Sequence, residues 1–360
     1  MTAVPGAPGR SAAMTSTGNS SQGNSATGVP GITIARIAEL AGVSAATVSK
    51  VINGHAEVAA HTRALVEGVL REQGYRRQKK VSSSPLVDVV LHELAGAYSI
   101  EVIRGVERVA GEHGLTITLT ELHGRHTPGR SWVDGVLARR PTGVIAVFAG
   151  PTAAQHDQLR SRDIPVVLVD PTGEPAHGVP SVGAENWSGG LAATRHLLEL
   201  GHRRIGVITG PHDMLSSRAR LDGYRAAMDA AGVPADPDLV REGRFLSADG
   251  LHHTRELLRL PDPPTAVFTC NESEALGVYQ AVHEAGLRIP DDLSVVGFDD
   301  LPSAQWLIPA LTTVRQPLSD MAATATGMVI DLAQGKDLPQ NRLVLSTELV
   351  VRASTAPPRR

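Results

Sequence analysis

Cysteine, aromatic residues and long apolar runs are all scarce in this 360-residue chain. The single cysteine, Cys270, excludes a disulfide framework and a cysteine-rich zinc module, and we expect it to be a buried residue at the end of a strand. Phe, Trp and Tyr make up 3% of the chain, so an aromatic residue near a predicted site is informative. No apolar run approaches the ~20 residues that a membrane helix needs, and no signal-peptide pattern is visible. We therefore expect a soluble cytoplasmic protein without a membrane partner.

The charge of the chain is distributed unevenly. Hydrophobic residues make up 42% and the net charge is −3, which together indicate a folded protein of two or three domains. Residues 32–80 carry eight Lys or Arg against four Glu, while the remainder is net acidic. A short basic block on a larger acidic body is typical of a nucleic-acid-binding arm, although chance or solubility can produce the same pattern.

Residue patterns divide the chain into four segments. Of residues 1–31, 18 are Gly, Pro, Ser or Thr and one is charged, which predicts a disordered leader. Residues 32–75 predict three short helices, and residues 76–85 predict a basic hinge. Over 86–355, apolar runs alternate with helical stretches, which predicts two lobes with parallel, doubly wound sheets. The predicted strands are 86–91, 115–119, 143–149, 164–169, 204–208, 266–269 and 293–298.

The segment Ile32–Gly54 has the pattern of a helix-turn-helix. Thr33 and Ser44 are suited to cap the two helices, and Gly42 is suited to end the first. We expect the second helix to expose a polar, basic face. In a third helix near 60–73, we expect Leu65 to point inward. This pattern fits a DNA-reading module, and it also fits a three-helix module with no DNA partner.

The amino-acid sequence of this segment distinguishes the two alternatives, because the segment resembles the LacI/GalR family of bacterial repressors. The matching residues are Thr33, Ile37, Ala38, Ala41, Gly42, Val43, Ser44, Thr47, Val48, Ser49, Val51, Asn53, Gly54, Thr62, Arg63, Gly74 and Tyr75. The resemblance implies a homodimeric transcription factor, most commonly a repressor, that binds operator DNA. The DNA-binding residues that the pattern and the resemblance indicate are Thr33, Ser44, Ala45, Ala46, Thr47, Ser49, Lys50, Asn53, Thr62, Arg76, Arg77, Lys79 and Lys80.

The resemblance continues through the body and implies lobes like those of periplasmic sugar-binding proteins. Its landmarks are Leu200–Ile205, Arg220–Tyr224, Asn271–Gly277, Ile289–Asp292, Val295–Asp300 and Leu311–Val314. It implies a small effector, most often a sugar, bound between the lobes. The implied effector-binding residues are Tyr98, Asp170, Arg220, Phe245, Asn271 and Asp299. For each of them, a strand-end cap or an internal hydrogen bond is the alternative.

The sequence departs from the family pattern at three places. Glu272 stands where an Asp usually follows the Asn, and Ala59 replaces the usual Ser cap of the third helix, which costs about 1 kcal/mol. The hinge lacks the family's Pro-Asn and its minor-groove Leu, so we expect it to act mainly through charge.

Two other functional classes are less well supported. A solute-binding protein with the same lobes would need a signal peptide and no DNA module. An enzyme would need a catalytic constellation, and we find no phosphate-binding loop, dinucleotide fingerprint or nucleophile signature. The pairs His252-His253 and His123/His126 lack companion ligands at metal spacing, so we predict neither a metal nor a cofactor.

Overall fold

A computed structural model describes residues 33–52, 58–73, 83–94, 96–175 and 178–359. Residue contacts divide them into two units: an amino-terminal unit that contains residues 33–51 and 58–73, and a second unit that contains residues 83–94, 96–175 and 178–359. The predicted leader and hinge residues 76–82 lie outside the described residues. The first strand of the second unit begins at Ser84, within the segment predicted as hinge.

Three helices make up the amino-terminal region: α1 (Ile34–Ala41), α2 (Ala45–Ile52) and α3 (Ala60–Glu72). Ile37, Val48 and Val66 are fully buried and form its small core. Leu65 is 45% exposed, so the prediction that it points inward is wrong. It immediately precedes Val66 on α3, about 100° around the helix, and Val66 is the residue that faces the core.

The first lobe is built on a six-stranded parallel sheet. In spatial order its strands are β11 (Arg342–Leu345), β5 (Ser181–Ala184), β4 (Val166–Val169), β3 (Pro141–Val147), β1 (Ser84–Leu91) and β2 (Thr116–Glu121). Helices α4 (Gly96–Glu112) and α11 (Leu318–Ala333) pack on one face, and α5 (Arg130–Arg139) and α6 (Ala153–Arg160) pack on the other. Both faces of the central strands are buried, which explains their continuous Val and Ile runs.

The second lobe repeats this plan. In spatial order its strands are β12 (Glu348–Val350), β10 (Thr312–Arg315), β9 (Ser294–Asp299), β8 (Ala266–Thr269), β6 (Ile205–Thr209) and β7 (Val240–Glu242). The strands are parallel except β12, which is antiparallel to β10. Helices α7 (Asn186–Glu199) and α8 (Leu215–Ala230) cover one face, and α9 (Ser247–Leu257) and α10 (Glu272–Glu284) cover the other.

The chain passes between the lobes three times: before α7, between β10 and α11, and between β11 and β12. The carboxyl ends of the parallel strands, where ligands bind in sheets of this type, therefore lie close to these crossings. Among the described helices, none combines the length and apolarity needed to span a bilayer.

Candidate functional site

The first two helices are joined by a tight turn. Gly42 has a φ of 62°, and its N–H bonds to the carbonyls of Ala38 and Glu39, which ends α1. Ser44 Oγ accepts the N–H of Thr47 at 3.1 Å and caps α2. Three residues separate the helices, which is the connection of a helix-turn-helix, the motif that places its second helix in the major groove of DNA.

The outer face of α2 carries the predicted base-reading positions. Ala45, Ala46 and Lys50 are exposed, whereas Val48 and Val51 are buried on the opposite face. Because the alanine side chains are short, this helix can approach base edges closely, and a lysine can donate to a guanine or to a phosphate.

The other predicted DNA contacts have hydroxyl, amide or basic side chains. The hydroxyl residues among them are exposed or partly buried: Thr33, Ser44, Thr47, Ser49 and Thr62. Five further predicted contacts lie outside the described residues: Asn53, Arg76, Arg77, Lys79 and Lys80.

In the body, hydrogen-bonded side chains cross the cleft between the lobes. Tyr98 Oη donates to Asp170 Oδ2 at 3.0 Å, and Gln316 Nε2 donates to the same oxygen at 3.2 Å. Gln316 Oε1 accepts from Arg220 Nη2 at 2.8 Å. Tyr98 and Asp170 belong to the first lobe and Arg220 to the second, while Gln316 lies on the crossing between β10 and α11. We call these four residues, together with Asp299, the interlobe network.

Arg220 is fixed by contacts around its whole guanidinium. Its Nε donates to Asn186 Oδ1 at 2.8 Å, and its Nη1 donates to the carbonyl of Cys270. Its Cζ lies 3.7 Å from the centre of the Phe298 ring, a cation–π contact. These contacts orient the planar donor fork before any ligand arrives, which reduces the entropic cost of binding adjacent hydroxyls or a carboxylate.

Asp299 supplies acceptor atoms to the cleft. Within the part of the chain that the structure describes, its carboxylate accepts no hydrogen bond, and it pairs with Arg220 Nη1 at 3.8 Å. Burial raises the pKa of Asp299 to about 7, with Arg220 opposing the change and Asp170 adding to it. Burial also raises the pKa of Asp170, although Arg220 and two hydrogen bonds oppose this. Both carboxyl groups would gain from a ligand that donates hydroxyl hydrogens to them.

The loop after β7 brings an aromatic ring to the same edge of the sheet. The Phe245 N–H donates to Glu274 Oε1 at 3.2 Å, and its carbonyl accepts from Asn271 Nδ2 at 2.9 Å. A Cβ on Gly210 would lie 2.1 Å from the Phe245 ring, so the ring packs directly against the backbone that follows β6. Asn271 Oδ1 also caps α10 by accepting the N–H of Glu274 at 2.8 Å. Asn271 thus has a structural role, and its contact with an effector stays a prediction.

Backbone strain concentrates at this edge of the two sheets. A left-handed conformation costs a residue with a side chain roughly 1–3 kcal/mol and is frequent at ligand-binding sites. Six non-glycine residues with positive φ lie at, or within three residues of, the carboxyl ends of strands: His123, Phe148, Asp170, Phe245, Asp299 and Asp300.

Comparison with known proteins relates both regions to one family. Residues 33–78 match the model of bacterial regulatory proteins of the lacI family, and residues 194–355 match a periplasmic binding protein-like domain. The HTH-type transcriptional repressor CytR of Escherichia coli K12 is 31% identical over 329 residues, 90% of this chain and 96% of that repressor. The ribose operon repressor of the same strain is 33% identical, over 89% of this chain and 99% of that protein. The chain belongs to the lacI family.

Solved lacI-type structures have the same architecture. A complex of the transcriptional regulator CelR with cellobiose superposes with a TM-score of 0.68 and 33% identity, covering 90% of this chain and 99% of that one. The lac repressor dimer bound to operator and an anti-inducer superposes with a TM-score of 0.66 and 28% identity, covering 91% of this chain and 99% of that one. As a member of the lacI family, the chain is a DNA-binding transcriptional regulator with a helix-turn-helix domain and a two-lobed α/β body.

Three cleft residues of this lacI-family chain are not predicted by the sequence analysis. They are Gln316, Asn186 and Phe148, whose ring centre lies 4.9 Å from that of Tyr98. Gln316 directly follows β10 and Phe148 directly follows β3, just as Asp170 directly follows β4. The predicted run 143–149 extends past Phe148, and Gln316 follows a strand that the apolar pattern does not reveal, so the sequence indicates neither residue.

Glu272, where the chain departs from the family pattern, has a structural role. Its carboxylate accepts the Leu301 N–H at 2.9 Å, Ser303 Oγ at 3.2 Å and Thr313 Oγ1 at 3.3 Å. Burial raises the pKa of Glu272 to about 8. These contacts tie the start of α10 to the loop after β9 and to β10, and so brace the sheet edge that carries Asp299.

Proposed function

We propose that the chain is a homodimeric repressor that reads a pseudo-palindromic operator and acts in the cytoplasm, at the nucleoid. In this proposal it catalyses no reaction, and a small effector bound in the cleft changes its affinity for the operator. The observation that carries the proposal is the interlobe network, because a ligand that engages it contacts both lobes and the crossing between them. A ligand can shift a conformational equilibrium only through contacts that differ between the two states, and a bridging site provides them.

The chemistry of the cleft favours a polyhydroxylated effector, which we infer to be a sugar. Asp170 and Asp299 offer buried acceptors, and Arg220 offers a planar pair of donors. The rings of Phe245 and Tyr98 can pack against the apolar faces of a pyranose or furanose. Two relatives carry sugars in their names: the ribose operon repressor and the CelR–cellobiose complex. A pentose, a hexose or a β-linked disaccharide is therefore the first class to test.

An apolar surface on the second lobe suits the dimer. Trp306 is 74% exposed and Ile308 is 93% exposed, and both lie on the loop that leads into β10. Such large exposed apolar side chains are characteristic of the fully buried centre of an interface. Since β10 ends immediately before Gln316, one short strand connects the proposed dimer surface to the interlobe network. This connection supports a mechanism in which effector binding alters the spacing of the two DNA-binding units.

Replacing Asp299 by Asn should weaken effector binding at least tenfold, because the substitution preserves volume but replaces one acceptor oxygen with a donor. Isothermal titration with a panel of pentoses, hexoses, disaccharides and nucleosides first identifies the effector and then compares the variant with the parent. Operator affinity without effector should stay within about twofold of the parent, because the substitution lies in the body.

The matched control is Asp222→Asn, which removes an exposed carboxylate that pairs with Arg225 on α8. Equal effector affinity in parent and Asp299→Asn would remove Asp299 from the site. Consumption of the effector during the titration would contradict the assignment as a non-enzyme.

Replacing Lys50 by Ala should weaken operator binding by about 1–3 kcal/mol if the side chain reads a base, and should relax the sequence preference at that position. If Lys50 contacts only a phosphate, the loss should be uniform across sequences, and the log–log salt slope should fall by about one. Fluorescence anisotropy with operator variants at several salt concentrations separates the two cases. Lys336→Ala, which removes the same charge from an exposed lysine that pairs with Asp331, is the control. Unchanged affinity and unchanged slope would mean that this face of α2 does not contact DNA.

A further inference from the structure

Two histidines and a glutamate on one side of α9 lie close enough to share a ligand. Their donor atoms, one each from His252, His253 and Glu256, all lie within 4.8 Å of one another. His252 Nε2 is 3.5 Å from Glu256 Oε1, and His253 Nδ1 is 3.3 Å from Glu256 Oε2. The sequence analysis leaves the histidine pair without a third ligand, and the helix supplies one because Glu256 lies three and four residues further on.

The position of the proton on His253 makes this group more than a surface ion pair. His253 Nε2 lies 2.9 Å from the carbonyl oxygen of Glu242, and since a carbonyl oxygen can only accept, Nε2 carries the hydrogen. In the neutral ring, Nδ1 is then an acceptor that faces a carboxylate oxygen. A metal ion between these two acceptors would be stabilised by both. A backbone carbonyl that orients the opposite ring nitrogen is the usual arrangement for a metal-bound histidine.

The distances fit a metal ion. In tetrahedral coordination with bonds of about 2.0–2.1 Å, ligand atoms lie roughly 3.3–3.4 Å apart. The two N···O separations, 3.3 Å to Glu256 Oε2 and 3.5 Å to Glu256 Oε1, are close to this value, and the three ligand atoms all lie within 4.8 Å of one another. Two imidazoles and one carboxylate form a set that Zn²⁺ and its neighbours in the first transition row prefer to Mg²⁺ or Ca²⁺. His252 is 67% exposed, so solvent can reach the remaining coordination position.

One contact opposes cation binding. Arg241 Nε lies 3.5 Å from Glu256 Oε2, and its Nη1 is held by the carbonyls of Asp238 and Val240. This guanidinium lies near the carboxylate, and its positive charge should lower the affinity for a metal ion. Its removal should therefore strengthen binding, which an ordinary surface ion pair would not predict.

We propose that His252, His253 and Glu256 form a binding site for a divalent transition-metal ion such as Zn²⁺. The site would fix the start of the segment that carries the effector-facing ring, because His253 is bonded to Glu242, the last residue of β7, and Phe245 follows three residues later. Metal binding would then restrict the Phe245 loop from the outer side of the lobe.

The test is isothermal titration of ZnCl₂ into the full-length protein after EDTA treatment and dialysis, together with thermal melts with and without Zn²⁺. We expect saturable binding at this site and a rise in the melting temperature. His252→Ala and Glu256→Gln should each reduce the affinity for Zn²⁺ at least tenfold, whereas Arg241→Gln should increase it.

The matched control is His123→Ala, which removes an exposed histidine that lies 3.4 Å from Glu121 Oε2 and lacks a third ligand among the described residues. No saturable binding by the parent, or binding that His252→Ala and Glu256→Gln leave unchanged, would overturn the proposal. Circular dichroism confirms that each variant is folded, so that a loss of binding can be assigned to the removed ligand.

Discussion

Replacing Arg220 by Ala is expected to lower the free energy of unfolding by about 3–5 kcal/mol and to reduce effector affinity at least 100-fold. Removing one partner of a buried ion pair leaves the other charge uncompensated, and that loss is typically of this size. In this protein the guanidinium opposes the raised pKa values of both Asp170 and Asp299. It also bonds to Gln316 and packs on the Phe298 ring, so its loss also removes the hydrogen bond that joins the second lobe to Gln316.

The pH dependence of this loss has a definite sign. A carboxyl group whose pKa is raised by folding lowers the free energy of unfolding as the pH rises from its unfolded pKa to its folded pKa, because only the unfolded state ionises in this range. For Asp299 in the parent, this decrease in stability runs from the usual pKa of 3.8 up to about 7. Without Arg220 the folded pKa rises further, so the destabilisation of the variant should be larger at pH 8 than at pH 6.

Urea unfolding at the two pH values, together with effector titration, measures both effects. Arg225→Ala is the matched control, because Arg225 lies on the same helix and forms an exposed pair with Asp222. Exposed pairs of this kind contribute about 0–1 kcal/mol, so the control should be nearly neutral. A loss below about 1 kcal/mol for Arg220→Ala, with normal effector binding, would show that the guanidinium is not the centre of the network.

The sequence reveals seven of the twelve strands that the described residues form in the two sheets. Each of the seven predicted runs corresponds to an observed strand. Six of these strands are mostly buried, and strands buried on both faces need continuous apolar side chains, whereas β2 is a partly exposed edge strand. The strands that escape prediction have three or four residues, or they mix polar and apolar positions: Ser181–Ala184, Val240–Glu242, Thr312–Arg315, Arg342–Leu345 and Glu348–Val350. β10 is completely buried except at its last residue, yet its two threonines conceal it from an apolar search.

Family resemblance indicates Arg220, Asp170 and Asp299, and the last two also end predicted strands, but neither observation indicates how these residues connect. Gln316 connects them because the chain returns to the first lobe after β10 to form α11. This return is a feature of the tertiary structure that no local sequence pattern predicts.

Asn271 shows that a strand-end residue can also have a structural role. An Asn just after a strand is equally suited to bind a ligand or to cap the next helix, and only the 2.8 Å contact with the Glu274 N–H reveals the cap.

Replacing Ile308 by Asp is expected to convert the dimer to a monomer and to weaken operator binding by about 100-fold or more. A dimer presents its second DNA-binding unit at a millimolar effective concentration, and a monomer loses that advantage completely. A charged side chain at a position that becomes buried between subunits must be desolvated without a partner, which strongly opposes association. Because Ile308 is 93% exposed in the single chain, the substitution should leave the stability of the monomer nearly unchanged.

Sedimentation velocity measures the oligomeric state, and anisotropy with a full operator and with a single half-site measures DNA binding. The matched control is Val344→Asp, an equivalent change at a 57% exposed residue on the edge strand β11 of the other lobe. The variant should bind the half-site as well as the parent does, since the recognition helix is unaltered, and should lose only the gain from the second half-site. A dimer that persists in Ile308→Asp and Trp306→Asp would place the interface elsewhere. A monomer that keeps full operator affinity would instead show that the two DNA-binding units act independently, and that the connection from β10 to Gln316 has no role in regulation.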